Sequence, residues 1–217
     1  MLLVEAWQYI VAHPDRFLSA LATHVALSAA ALGLATAIAL PTGIWLAGTR
    51  RAALVAINAA NVGRTLPSLA VLALAMPLLG TGFLPSLFAL TLLALPPILL
   101  NSYTAIRQVE PEIVDAARGM GMTRGEIVRK VELPIATPVI FAGIRTAAVQ
   151  VVSGAVLAAY IGGGGLGDFI TAGIAMMALP QLVVGAVPAT LLALGADQLF
   201  GALQKALTPK GLAAETR

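Results

Sequence analysis

Long apolar stretches separated by short charged clusters organise this 217-residue chain. Phe17–Thr49 contains no Lys, Arg, Asp or Glu and is closed by Arg50 and Arg51. About 20 apolar residues cross the hydrocarbon of a bilayer, so a first span is predicted at about 21–48. Thr65–Ile106 is equally free of charge but too long for one helix, and Pro77, Gly80, Gly82 and Pro85 punctuate its middle. A turn at about 79–83 then separates spans at about 53–79 and 83–106. Arg107–Glu132 holds ten charged residues and belongs outside the bilayer, making 107–134 a loop. A fourth span follows at about 138–160, and a fifth at about 180–205. Between them Ile161–Leu179, with its glycine run and Asp168, reads as a loop with a short re-entrant or interfacial piece.

Composition agrees. The chain is 59% hydrophobic and 11% charged, against about 25% charged in soluble domains, so lipid is its solvent. Backbone groups in lipid must be hydrogen-bonded internally, which makes the spans helices and the fold class all-α integral membrane. The expected organisation is an N-terminal periplasmic or interfacial segment at 1–19, one membrane domain at 20–207 and a tail at 208–217. The N-terminal residues mix Glu5, His13, Asp15 and Arg16 with Trp7, Tyr9 and Phe17, unlike a cleavable signal. Arg50, Arg51, the 107–132 loop, Lys205, Lys210 and Arg217 share one side, and basic flanks mark the cytoplasm. The N-terminus is therefore expected outside and the C-terminus inside. Cysteine is absent and only His13 and His24 occur, which leaves no thiol chemistry and no metal ligand set. The basic residues form no patch interleaved with aromatics, so nucleic acid is not expected as a partner.

Three ionisable residues fall inside predicted spans: Arg64, Arg145 and Asp197. Either they line the cytoplasmic end of a solute path or pair with each other, or they snorkel near the inner interface. Ala29, Gly33 and Ala37, and likewise Gly154 and Ala158, suit close helix packing.

Glu110–Pro134 is the most informative stretch. Pro111 suits the first position of a helix, and Glu112 and Asp115 suit its positive end. Ile113, Ala116, Ala117 and Met120 form a small apolar face, after which Gly119 and Gly121 break the helix. Thr123 and Glu126 match a capping box, so a second short helix starts there and is expected to stop at Leu133-Pro134. A compact capped helix with a small-residue face suits insertion into a groove on a soluble partner. An interfacial helix resting on lipid head groups is the other reading.

The same stretch resembles the loop motif of binding-protein-dependent ABC importer permeases: E-A-A, three residues, G, nine residues, I-x-L-P. Here it reads Asp115-Ala116-Ala117, Gly121 and Val131-Glu132-Leu133-Pro134, with aspartate and valine as conservative departures. The resemblance covers about residues 20–207 and implies the type I ABC importer permease fold, with five transmembrane helices and a cytoplasmic coupling helix at 110–122. It implies ATPase coupling through Glu112, Asp115, Ala116, Ala117, Gly121, Val131, Leu133 and Pro134. The implied partners are two ATP-binding subunits, a second permease subunit (identical or related), an extracytoplasmic solute-binding protein and membrane lipid, in a bacterial inner membrane. Arg64–Ala70, Pro96–Tyr103 and Tyr160–Asp168 resemble the osmoprotectant branch, whose solutes are glycine betaine, choline or carnitine. The last block also resembles methionine permeases, and relatives carrying ergothioneine keep the solute open.

Other signals lead elsewhere. Gly162–Gly167 satisfies G-x-G-x-x-G but follows a membrane span rather than a strand, so it is read as a tight turn. No P-loop and no catalytic set occur. The chain is expected to be no enzyme and to bind no cofactor, with ATP used by the partner subunit. Tyr103 and Tyr160 are candidate solute contacts, beside Phe141, but aromatics are too scattered for a quaternary-ammonium cage. Selectivity is then expected in the separate binding protein. An ion-coupled secondary transporter would require inverted repeats and mid-membrane carboxylates, of which only Asp197 is a candidate.

Overall fold

The computed structural model describes residues 1–208; Lys210 and Arg217, used above to orient the chain, lie outside the described residues. Among the described residues every regular element is helical: α1 (Leu2–Ala12), α2 (Pro14–Ala47), α3 (Arg50–Thr65), α4 (Ser68–Leu79), α5 (Phe83–Arg107), α6 (Pro111–Gly119), α7 (Arg124–Ile127), α8 (Leu133–Gly154), α9 (Gly167–Ala175) and α10 (Leu179–Leu207). Four helical runs are long and apolar enough to cross a membrane: α2, α5, the continuous run Arg124–Ile161, and α10. Helices α3 and α4 make a bent pair that passes the same test jointly.

Half of the apolar window of α5 is buried against 17% for α10, so α5 is the central post of the bundle and α10 a peripheral one. Its Leu90, Ala94 and Ile98 meet Leu27, Ala31, Ala35 and Ala39 of α2 on one side, and Ile140, Ala147 and Val151 of α8 on another. The four α2 residues recur every four positions, which stacks them on one helix face. Small residues set the spacing. A methyl group at Gly43 would lie 2.7 Å from Cβ of Ser102, and one at Gly143 would lie 2.8 Å from the Pro97 carbonyl oxygen. Gly143→Ala is therefore expected to push α8 off α5 and to destabilise the folded permease by about 1–3 kcal/mol. A lowered unfolding temperature in detergent is the measurement that checks it.

Prolines behave unevenly along the chain. Pro96 and Pro97 stay within α5, where Nδ2 of Asn101 donates to the Pro97 carbonyl at 2.7 Å. Pro67 instead breaks the second span. Leu66 takes the extended backbone imposed on a residue before proline, and α3 and α4 diverge by 101°. The expected single span over 53–79 is thus two helices joined by extended chain, and Arg64 sits in the last turn of α3.

Pro134 also departs from expectation, since it does not stop the helix. A π-helical turn at Val128–Glu132 precedes it, and α7, this turn, α8 and a 3₁₀ turn at Ala155–Ile161 run on without a break. The wider turn accommodates a residue that lacks an N–H and crowds the preceding carbonyl.

On the face opposite the charged loop, α1 packs on α10, and with the start of α2 it reaches Phe169 of α9. Tyr9 meets Phe169 edge-on with ring centroids 6.1 Å apart, and the Arg16 guanidinium lies 5.4 Å from the centre of the same ring. The first residues are thus a docked helix, with Trp7 left exposed. The α4–α5 turn falls where the proline and glycine punctuation puts it: α4 ends at Leu79 and α5 begins at Phe83.

Candidate coupling loop and solute groove

The charged loop folds into α6, a glycine joint and α7. Pro111 opens α6, Glu112 lies in its first turn and Arg118 in its last, which matches the helix dipole at both ends. Arg118 Nη1 donates to Asp115 Oδ1 at 2.9 Å along the exposed face. Gly121 ends the helix with φ +82, closed by the Met122 N–H donating to the Ala117 carbonyl at 3.2 Å. Thr123 and Glu126 form the expected capping box, with the Thr123 N–H donating to Glu126 Oε2 at 3.0 Å.

The apolar face of α6 divides in two. Ala117 turns inward and is buried. Ile113, Ala116 and Met120 stay exposed, Met120 at 75%, on one side of the helix. Exposed apolar side chains at this spacing make a surface that a groove would cover. Val131, Leu133 and Pro134 are half-buried at the root of the loop, and Leu133 packs on the main core.

Glu132, which the sequence reading did not single out, holds the loop to the bundle. It is 3% exposed, and Arg124 Nη1 donates to its Oε1 at 2.5 Å. The pair links the start of α7 to the base of α8 across the π-helical turn, within one continuous helical run. Glu132 stands inside the motif itself, and its place between Val131 and Leu133 disguised it as filler.

Of the intramembrane ions, the structure joins two. Arg145 Nε and Nη2 donate to Asp197 Oδ1 and Oδ2, both at 2.6 Å, tying α8 to α10. This two-pronged geometry is the strongest form of such a pair. Arg64 is exposed at the end of α3, away from them.

A groove of about 540 Å³ opens among α4, α5, α8, α9 and α10; Ser68, Gln150, Ser153 and Thr190 are its polar members, set among Leu93, Val156, Leu157 and Ile170. Thr146, Gln150 and Ser153 are all exposed and follow helical spacing on α8, so they form a polar stripe along a span. Ser68 begins α4 directly after the Pro67 break. A larger cavity of about 920 Å³ lies between α2, α8 and α10, and Phe141 lines it with Ala29, Gly33 and Ala37. Its lining is almost wholly apolar, with His24, Ser28 and Thr36 as the polar exceptions. Tyr103 stands at the loop end of α5 beside Arg107, and Tyr160 at the opposite face, so the structure does not bring the two together.

Residues 18–210 match the family model described as binding-protein-dependent transport system inner membrane component. The choline transport system permease protein OpuBB of Bacillus subtilis is 43% identical over 189 residues, covering 87% of each chain. The carnitine transport permease protein OpuCB of Listeria monocytogenes is 42% identical over 97% of this chain and 90% of its own length. Among solved structures, the inward-facing MetNI methionine ABC transporter superposes with a TM-score of 0.81 at 21% identity, over 91% of this chain and 99% of that one. The chain belongs to the binding-protein-dependent inner membrane components and is a multi-pass permease subunit of an ABC importer, with ATP hydrolysis assigned to other subunits.

Proposed function

We propose that this permease imports osmoprotectants of the glycine betaine, choline or carnitine type. The observation that carries the solute class is the identity of more than 40% to permeases named for choline and carnitine. The groove supports it physically. Amide and hydroxyl groups without an aromatic cage offer weak ion–dipole contacts, which let a solute pass rather than rest. Selectivity then belongs to the extracytoplasmic binding protein. The methionine reading rests on the Tyr160–Asp168 block, and the methionine transporter structure, below 25% identity, speaks for fold alone.

In this reading two permease chains, identical or related, enclose the route, and each carries the motif that docks on one of two ATP-binding subunits. The α6 face of Ile113, Ala116 and Met120 enters a cleft on that subunit. Closure of the ATPases on ATP then swings α8 through Arg124 and Glu132. The chain itself needs no cofactor. The charged loop is cytoplasmic, the N-terminus outside and the C-terminus inside.

The test is uptake by proteoliposomes holding the permease, its ATP-binding subunit and its binding protein. Labelled glycine betaine, choline or carnitine is expected to accumulate with ATP, and methionine and ergothioneine not. Accumulation of methionine alone contradicts the solute class. Gln150→Leu, which removes the central polar group of the α8 stripe, is expected to lower the maximal uptake rate and leave assembly unchanged. Equal rates in the two proteins would remove the groove from the route.

A further inference from the structure

Helices α9 and α10 form a tight hairpin on the face opposite the coupling loop. A methyl group on Gly173 would lie 2.5 Å from the Leu182 nitrogen, and one on Gly185 would lie 2.5 Å from the Leu166 carbonyl oxygen. The helices thus run antiparallel in backbone contact, and their common tip at Met176–Ala178 is the outermost point of the hairpin. Phe169 anchors its base, 1% exposed beneath Tyr9, Phe17 and Arg16.

The tip is built against local preference. Met177 has φ +52, the one non-glycine residue with positive φ among the described residues. It caps α9 in the left-handed conformation, and the Ala178 N–H closes the turn on the Gly173 carbonyl at 2.8 Å. Glycine or asparagine normally takes this position, because a side chain there is strained. Here the position carries a long apolar side chain that is 92% exposed, next to Met176 at 72% and Leu179 at 57%. Methionine is flexible and polarisable, which suits contact with an irregular apolar pocket. Strain of this kind marks positions where something outside the local backbone sets the residue.

We propose that the Met176–Met177 tip is a docking knob that inserts into an apolar pocket on the extracytoplasmic solute-binding protein. This rests on the importer reading, which puts the tip on the outer face. The family depends on a soluble partner that must find that face. The turn itself requires the left-handed conformation; what asks for an occupant is the long apolar side chain kept there in place of glycine. A rigid hairpin holding its longest apolar side chain away from its own packed faces suits a partner that arrives from solution.

The test uses the full importer in nanodiscs, titrated with its binding protein loaded with the solute it purifies with. Met177→Gly fits the backbone and is expected to raise the unfolding temperature slightly. Combined with Met176→Ser, it is expected to raise the binding-protein concentration for half-maximal ATPase stimulation about tenfold, the loss of the two anchoring side chains. The maximal stimulated rate is retained, and Met177→Leu restores the wild-type midpoint. A purely structural tip would give the stability gain with no change in midpoint, and that overturns the proposal. Cross-linking of Met177→Cys to a second permease chain, at equal yield with and without binding protein, overturns it as well. If the wild-type importer is not stimulated at all, the importer reading fails and takes this proposal with it.

Discussion

Gly121→Asp leaves the permease in the membrane with its fold intact and lowers ATP-driven uptake by about thirtyfold or more, the scale of a lost binding hot spot. Two observations separate fold from docking in this variant. A side chain at Gly121 would meet no atom within 4 Å. The φ of +82 is strained for most residues, but aspartate tolerates the left-handed region better than most. No packed neighbour rejects the side chain, and the backbone strain it brings is confined to the joint after α6. What changes is the surface that α6 presents, beside the exposed Ala116 and Met120. The variant is expected to purify at the wild-type level and to lose its ATP-binding subunit on a sizing column. Normal uptake with the subunit retained would remove α6 from the coupling route.

Breaking the Arg145–Asp197 pair has the second large effect. Arg145→Ala strands a carboxylate on α10, and Asp197→Ala strands a guanidinium on α8, each within a span. A lone charge in lipid is disfavoured far more than a matched pair, so each single variant is expected to lower the assembled permease in membranes severalfold. Arg145→Ala with Asp197→Ala removes both charges and is expected to do less harm than either change alone. The swap Arg145→Asp with Asp197→Arg is expected to recover assembly. Membrane levels and uptake of the four proteins check this, and single variants that assemble and transport normally would show that the pair is dispensable.

Much of this architecture was legible in the chain. Charge-free blocks marked the spans, because a lysine or carboxylate at mid-membrane is too unfavourable to be scattered there at random. The S/T-x-x-E spacing of Thr123 and Glu126 gave the start of α7, because capping is a local interaction. The prolines were harder to read. Pro67 and Pro134 look alike in sequence, yet one bends a span by 101° and the other is absorbed by a π-helical turn. The outcome depends on whether neighbours satisfy the carbonyl four residues before each proline, which its missing N–H leaves free. That is tertiary information.

The site was legible in part for a similar reason. The motif marked the α6–α7 loop as the candidate for coupling, but charge within spans pointed to Arg64, which stands apart, as well as to the Arg145–Asp197 pair. Thr146, Gln150 and Ser153 are uncharged and raise no alarm in a hydropathy profile. Their spacing of four and three was visible all along. Only the packing of α8, which turns this face outward beside Ser68 and Thr190, distinguishes it from a chance stripe.

The central claim is mechanical, that the exposed face of α6 transmits nucleotide-driven movement into the bundle. A photoreactive cross-linker at Ala116→Cys in membranes tests it directly. The expected product is an adduct of the permease with its ATP-binding subunit, lost when Gly121→Asp is added. Adducts with phospholipid alone, unchanged by the presence of that subunit, would contradict it.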